Sequence, residues 1–194
     1  MIKKFGIVGN PIKHSLSPVL HNYWFKKYNI SANYSIMDVK DENELPGIIK
    51  QIRNKEISGI NITLPYKQKI VSHVDTVIND AEITSSVNTI YLDSQGTIIG
   101  ENTDVFGLQA AYLKEIDNAP KKKALIIGAG GVSPSVILSL QKSGVHEISI
   151  TNRTREKCYF LKNKFNKIKI IEWENLQKEI KNFDIIINAT SLGL

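Results

Sequence analysis

The feature that most constrains the fold is the stretch ALIIGAGGVS at 124–133. An apolar run of strand character passes directly into glycines, and the glycines open an amphipathic segment. That order predicts a buried parallel strand, a tight turn and a helix whose N-terminus faces the turn. Gly128 permits the turn, and Gly130 lets a bound pyrophosphate approach the backbone. The helix N-terminus behind them offers unpaired N–H groups and the positive end of a dipole. Ser133 stands where the usual fingerprint has a third glycine, and a residue this small still lets helix and strand pack closely. The alternative is a plain turn, which the succession of strand, glycines and helix argues against.

Alternation continues on both sides of this motif. Downstream, strands are expected at 124–127, 147–151, 169–171 and 184–188, separated by helices at 132–143, 155–165 and 175–180. Strands alternating with helices imply a parallel sheet. Upstream, strands are expected at 5–9, 33–39 and 59–64, with helices at 17–28 and 42–54, a helical stretch from about Lys67, and a hairpin of 87–92 and 97–100 turning at 93–96. Ser17 reads as the N-cap of the first helix and Pro18 as its first turn. A helix at 105–116 and a break at 117–120 connect the two series. The expected class is α/β: an N-terminal α/β domain over 1–104, a connecting helix and linker over 105–120, and an incomplete Rossmann-type dinucleotide-binding domain over 121–194. The second series holds four strands of a pattern that runs to six, so the chain is expected to be C-terminally truncated, with 185–187 as an edge strand open to aggregation and weak or no turnover by itself.

The cofactor type follows from the end of the second strand of that domain. NAD-binding folds place an acid there for the ribose 2′-hydroxyl, whereas this strand ends in Thr151, Asn152, Arg153 and Thr154. A guanidinium pairs with a 2′-phosphate and a carboxylate repels it, so NADP is expected over NAD. Arg153 read as a mere surface residue is the alternative, but arginine occurs only at Arg53, Arg153 and Arg155 in a chain whose other basic residues are all lysine.

Composition excludes several classes. The net charge of +6 is nearly all lysine, without the clustered arginine and interleaved aromatics of a nucleic-acid groove. Cys158 is the single cysteine, so no intrachain disulfide is possible, which suits a cytoplasmic setting. No apolar run approaches the roughly 20 residues of a membrane span, and no signal-peptide core follows Met1. His14, His21, His73 and His146 form no ligand pair, and no metal site is expected.

The blocks GNPIKHSLSPVLHN (9–22), GINITLPYK (59–67), SVNT (86–89), ENTDVFG (101–107), GAGG (128–131), NRT (152–154) and NATSLG (188–193) fall in one order along the whole chain. This set resembles the shikimate dehydrogenase family. The resemblance implies a first domain that binds substrate and a second that binds NADP. It implies that Ser15 and Ser17 hold the substrate carboxylate, and that Asn61, Thr63, Asn88 and Asp104 meet its ring hydroxyls. Ser15 and Ser17, taken as extended, point the same way; Asn61 and Thr63 share one face of a strand. Lys67 is implied as the proton donor and alkoxide stabiliser, with Asp104 orienting it and keeping it charged. A plain N-cap is the alternative for Ser17 and for Asp104. For the cofactor the resemblance implies Gly128, Ala129, Gly130, Gly131, Val132, Asn152, Arg153, Thr154, Lys157, Thr190 and Ser191. Ser85 and Ser86, Val105 and Ser133 depart from the family pattern without removing an implied contact. The expected activity is NADP-linked reduction of 3-dehydroshikimate to shikimate, in the biosynthesis of chorismate and the aromatic amino acids, by a monomer or homodimer. A quinate/shikimate dehydrogenase using NAD, or a non-catalytic ligand-binding module, are the alternatives.

Overall fold

The apolar run at the N-terminus forms the strand around which the first sheet is built. In the computed structural model, which describes residues 2–192, β1 (Lys3–Gly9) is hydrogen-bonded on both sides to parallel neighbours, β2 (Ala32–Asp38) and β3 (Gly59–Ile62). Its second half is fully covered, as a central parallel strand requires. The chain divides into two units, Met1–Thr103 and Asp104–Leu194.

In the first unit α1 (Ser17–Lys27) joins β1 to β2, and α2 (Leu45–Arg53) joins β2 to β3. Leu45, Ile49 and Ile52 form the buried face of α2 at helical spacing. They pack with Val8, Ile62, Ile70, Ile90 and Ile98. The hairpin of β5 (Thr89–Leu92) and β6 (Ile98–Glu101) pairs antiparallel beside β3. Its turn is closed by Asp93, whose carboxylate accepts from the N–H groups of Gln95 and Thr97, both at 2.8 Å. With the two-residue β4 (Thr76–Val77) at one edge, the sheet order is β2-β1-β3-β5-β6-β4.

The helical stretch expected from Lys67 differs. It is a 3-10 segment, Lys69–His73, followed by a two-residue strand β4 (Thr76–Val77) and the short α3 (Asp80–Thr84). A strand this short shows no readable periodicity. It is held by distant partners: β4 pairs with β6, and the Asp75 carboxylate accepts from Ile98 N–H and from Arg53. Both partners keep the Asp75 carboxyl below its ordinary pKa, the Arg53 hydrogen bond most strongly. The helix expected over 42–54 also begins differently, with a 3-10 turn Glu42–Glu44 under an Asp41–Glu44 capping box.

In the second unit β7 (Lys123–Ile127), β8 (Glu147–Thr151), β9 (Ile168–Ile170) and β10 (Ile185–Asn188) form an all-parallel sheet in the order β10-β7-β8-β9. They alternate with α5 (Ser133–Lys142), α6 (Arg155–Lys164) and α7 (Leu176–Glu179). α4 (Asp104–Ala111) is shorter than the helix read over 105–116, and Leu113–Glu115 winds on as a 3-10 turn. Residues 105–120 contribute to the core of this unit: Val105, Leu113 and Ala119 are buried against Ile137, Leu140 and Ile148. The Ser139 hydroxyl donates to the Val105 carbonyl at 3.0 Å, tying α4 to α5. No helix among the described residues is long and apolar enough to cross a membrane.

α1 reaches the sheet edge through a side chain. The Asn22 amide donates to the Tyr34 carbonyl at 2.8 Å and accepts from Tyr34 N–H at 2.9 Å, so it pairs with β2 much as another strand would. Asn22→Ala leaves both backbone groups without these partners. The expected loss is about 1–3 kcal/mol of unfolding free energy, measured by urea denaturation.

Candidate active site

In an open α/β sheet, ligands bind outside the carboxyl ends of strands where the connections diverge to opposite sides. In the first unit that point lies between β1 and β3, since β2 is on the far side of β1. Ser15 and Ser17 follow β1; Asn61, Thr63 and Lys67 stand at or after the end of β3; Asn88 immediately precedes β5, which runs antiparallel to β3. The loops are joined by a hydrogen bond from Asn10 N–H to the Leu64 carbonyl at 2.9 Å. Gly9 makes that approach possible: a Cβ there would collide with the Thr63 methyl and lie 3.0 Å from the Leu64 carbonyl oxygen.

Ser15 and Ser17 do not lie in an extended segment. Ser15 N–H donates to the Ile12 carbonyl at 3.0 Å in a turn, and Leu16 has helical φ and ψ. Ser17 is the first helical residue rather than the cap. Leu16 holds the cap position, and Ser17 N–H donates to the Ser15 hydroxyl oxygen at 3.3 Å. Thus the side chain that serves the helix end is Ser15, and both serines sit at the N-terminus of an 11-residue helix. Thr63 lies just beyond β3, with its N–H donated to the Val8 carbonyl at 2.9 Å.

Lys67 is half-buried, on a backbone fixed from both sides. Its carbonyl accepts from Val87 N–H at 2.8 Å. The adjacent Tyr66 is buried and its hydroxyl donates to the Val39 carbonyl at 2.8 Å. The Asn88 side chain is buried in a polar net: its oxygen accepts from Thr103 N–H at 3.0 Å and from the Thr89 hydroxyl at 3.0 Å, while its amide donates to the Thr103 hydroxyl at 3.1 Å. That net fixes Thr103, the residue before Asp104 at the start of α4.

Asn61 has a partner that sequence reading missed. The Tyr34 hydroxyl donates to its side-chain oxygen at 2.7 Å, and its amide donates to the Asn88 carbonyl and the Thr89 hydroxyl, both at 3.2 Å. The Tyr34 ring stacks on His21, centroids 4.3 Å apart and 10° from parallel. Burial pushes the Tyr34 phenol up to about 12 and lowers the His21 pKa.

In the second unit the divergence lies between β7 and β10, and the glycine turn sits on it. Gly128 has φ +113°, and a Cβ there would be 2.8 Å from the backbone of Ala189. Only glycine suits both conditions. Ser133 clips the turn, its buried hydroxyl donating to the Gly128 carbonyl at 3.0 Å. Asn152 braces it from β8, accepting from Ala129 N–H at 3.2 Å and donating to the Thr154 carbonyl at 2.9 Å. By contrast, a Cβ on Gly130 would meet only Ala189 O, at 3.9 Å, and one on Gly131 nothing within 4 Å. Before the N-terminus of the 10-residue α5 there is therefore open space at backbone height, which fits a pyrophosphate. After β10, the Asn188 oxygen accepts from Thr190 N–H at 3.0 Å and its hydroxyl at 2.7 Å, shaping the turn that carries Thr190 and Ser191. Gly193, the last residue of the 188–193 block, lies outside the described residues.

A cavity of about 250 Å³ opens at the ends of β8 and β9, lined by Asn152, Arg153, Arg155, Cys158, Glu172 and Trp173 among others. Arg155 is committed within it, paired with Glu172 at 2.7 Å and lying over the Tyr159 ring. Arg153 is exposed and has no acidic partner among the described residues. Burial, and secondarily Glu172, pushes the Cys158 thiol up to about 11, so it stays protonated. Lys157 is exposed on the first turn of α6, and Val132 is the N-cap residue of α5.

A parallel sheet with this turn, followed by a strand that leads into Asn152 and Arg153, defines a dinucleotide-binding unit, here joined to an α/β unit with its own polar site. Comparison narrows the class. Residues 7–90 match the family described as shikimate dehydrogenase substrate binding domain, and residues 111–193 match shikimate / quinate 5-dehydrogenase. A shikimate dehydrogenase (NADP(+)) of Pelagibacter ubique is 48% identical over 194 residues, covering 100% of this chain and 71% of that protein. The shikimate dehydrogenase structure from Aquifex aeolicus superposes with a TM-score of 0.90 at 32% identity, over 99% of this chain and 70% of the other. That of the Thermus thermophilus shikimate 5-dehydrogenase in complex with NADP(H) and shikimate gives 0.85 at 30% identity, over 100% and 70%. The chain belongs to the shikimate dehydrogenase family and is an oxidoreductase of that family.

The two glycines are expected to separate experimentally. Gly128→Ala places a Cβ against Ala189 in a left-handed backbone and should lower the thermal midpoint clearly. Gly130→Ala has room and should melt close to wild type in the same calorimetric scan.

Proposed function

We propose that this chain carries the substrate and cofactor sites for the NADP-linked interconversion of 3-dehydroshikimate and shikimate, a reaction run in the cytoplasm in the reductive direction toward chorismate and the aromatic amino acids. The observation that carries the reading is the joint occurrence, at the diverging strand ends of each unit, of the polar residues of the matched family blocks. The Thermus thermophilus relative, whose complex holds NADP(H) and shikimate, supports the same pair of ligands for this chain.

In this reading Ser15 and Ser17 take the substrate carboxylate, aided by the positive end of α1. Asn61 and Thr63 meet ring hydroxyls, and Asn88 contributes there while holding Thr103 in place. NADPH, when bound, supplies a hydride to the ketone carbon. Lys67 stabilises the negative charge that develops on the ketone oxygen and gives it a proton, so the ketone leaves as an alcohol. Asp104 accepts from a substrate hydroxyl. The fixed backbone of Lys67 supports this role, because a proton donor must be positioned before the charge appears.

The cofactor is held by Gly128, Ala129, Gly130, Gly131 and Val132 at its pyrophosphate, with Thr190 and Ser191 from the neighbouring turn. Asn152, Arg153, Thr154 and Lys157 take the 2′-phosphate. Since Arg155 already neutralises Glu172, Arg153 is the guanidinium left for that phosphate.

Two measurements on the full-length protein test these roles. Lys67→Ala should lower kcat by about 10²–10⁴-fold and change the shikimate KM far less. A raised KM with kcat preserved would remove Lys67 from the chemistry. Arg153→Ala should weaken NADPH by roughly tenfold or more and leave NADH affinity nearly unchanged. Equal losses for the two cofactors would end the 2′-phosphate assignment.

A further inference from the structure

We propose that Tyr34 is a positioning residue for the substrate: its hydroxyl sets the side-chain amide of Asn61 in the orientation that receives a substrate hydroxyl. The proposal rests on the reading of Asn61 as a substrate contact. On one side Asn61 faces the Asn88 carbonyl at 3.2 Å, a group that can only accept, so the NH₂ end must point there. The oxygen end is then turned the other way, where it needs a donor. Tyr34 supplies one at 2.7 Å. A carboxamide oxygen has two lone pairs, and the single bond from Tyr34 leaves capacity for a substrate O–H. With no donor at Tyr34, the amide loses the partner that opposes its rotation.

Tyr34 is itself well held. It lies on β2 opposite Phe5 and reaches across β1 to β3. Asn22 clamps its backbone from α1, and His21 covers its ring. Tyr34 is only 4% exposed, and its phenol, protonated in the neutral range even at its ordinary pKa, is pushed further up by burial.

The test is a double-mutant cycle on the full-length protein, read as shikimate affinity by titration calorimetry, with thermal midpoint and NADPH affinity measured alongside. Tyr34→Phe keeps the ring and removes the donor. It should weaken shikimate about five- to tenfold, leave NADPH affinity alone and change kcat little. Asn61→Ala should also weaken shikimate, and adding Tyr34→Phe to it should weaken it no further. Wild-type affinity in Tyr34→Phe overturns the proposal. So does a loss that multiplies with that of Asn61→Ala, because Tyr34 then acts by packing alone. If Asn61→Ala binds shikimate as the wild type does, the substrate role of Asn61 itself fails, and the route through it falls with it.

Discussion

Parallel pairing on both sides of the strand at which the connections diverge is the constraint on which the rest depends, and each unit has one such strand, β1 and β7. A strand so placed gives up exposure on both edges and must be apolar. In return its carboxyl end becomes the place where two connections leave in opposite directions. Backbone N–H groups, helix N-termini and loop side chains collect there without competing with the sheet ladder. The serines and the β3 end in the first unit, and the glycine turn in the second, occupy these positions. The chemistry is therefore located by strand order before any individual side chain is considered.

What could be read from the sequence was what short-range physics writes into consecutive residues. The turn at Gly128 was readable because strand, glycines and helix are contiguous, and its positive φ is a local demand. The buried face of α2 was readable from the spacing of Leu45, Ile49 and Ile52. Ser17 was placed one residue off as a cap: its side chain is a good cap, but the chain enters the helix through Leu16, and Ser15 supplies the oxygen. β4 was missed because its two residues gain their partners from β6, more than 20 positions away. Tyr34 and Asn61 were separated for the same reason, being 27 residues apart, and no periodicity couples them.

The two sites share a way of holding flexible amides. Asn61, Asn88 and Asn152 each have a side-chain oxygen receiving an N–H or O–H and an NH₂ group donating to a neighbour. An amide tied at both ends cannot flip without losing both bonds, each worth about 0.5–1.5 kcal/mol. Asn152 uses this to brace a backbone turn, and Asn88 to fix the residue before Asp104. Binding groups on loops would otherwise have to be ordered when ligand arrives, at a cost in affinity.

Charge is treated by the same logic in the second unit. The cavity beside Arg153 contains acidic as well as basic side chains, which by count alone would make it a poor host for a phosphate. Of its two acids, Glu172 is taken by Arg155, whose guanidinium also rests on Tyr159, and Glu174 is solvent-exposed. An acid neutralised in this way no longer opposes an incoming anion, whereas an unpaired one at the same place would repel it across a few ångströms. Which arginine of the motif is already engaged is thus a property of the folded cavity that a motif of three residues cannot express.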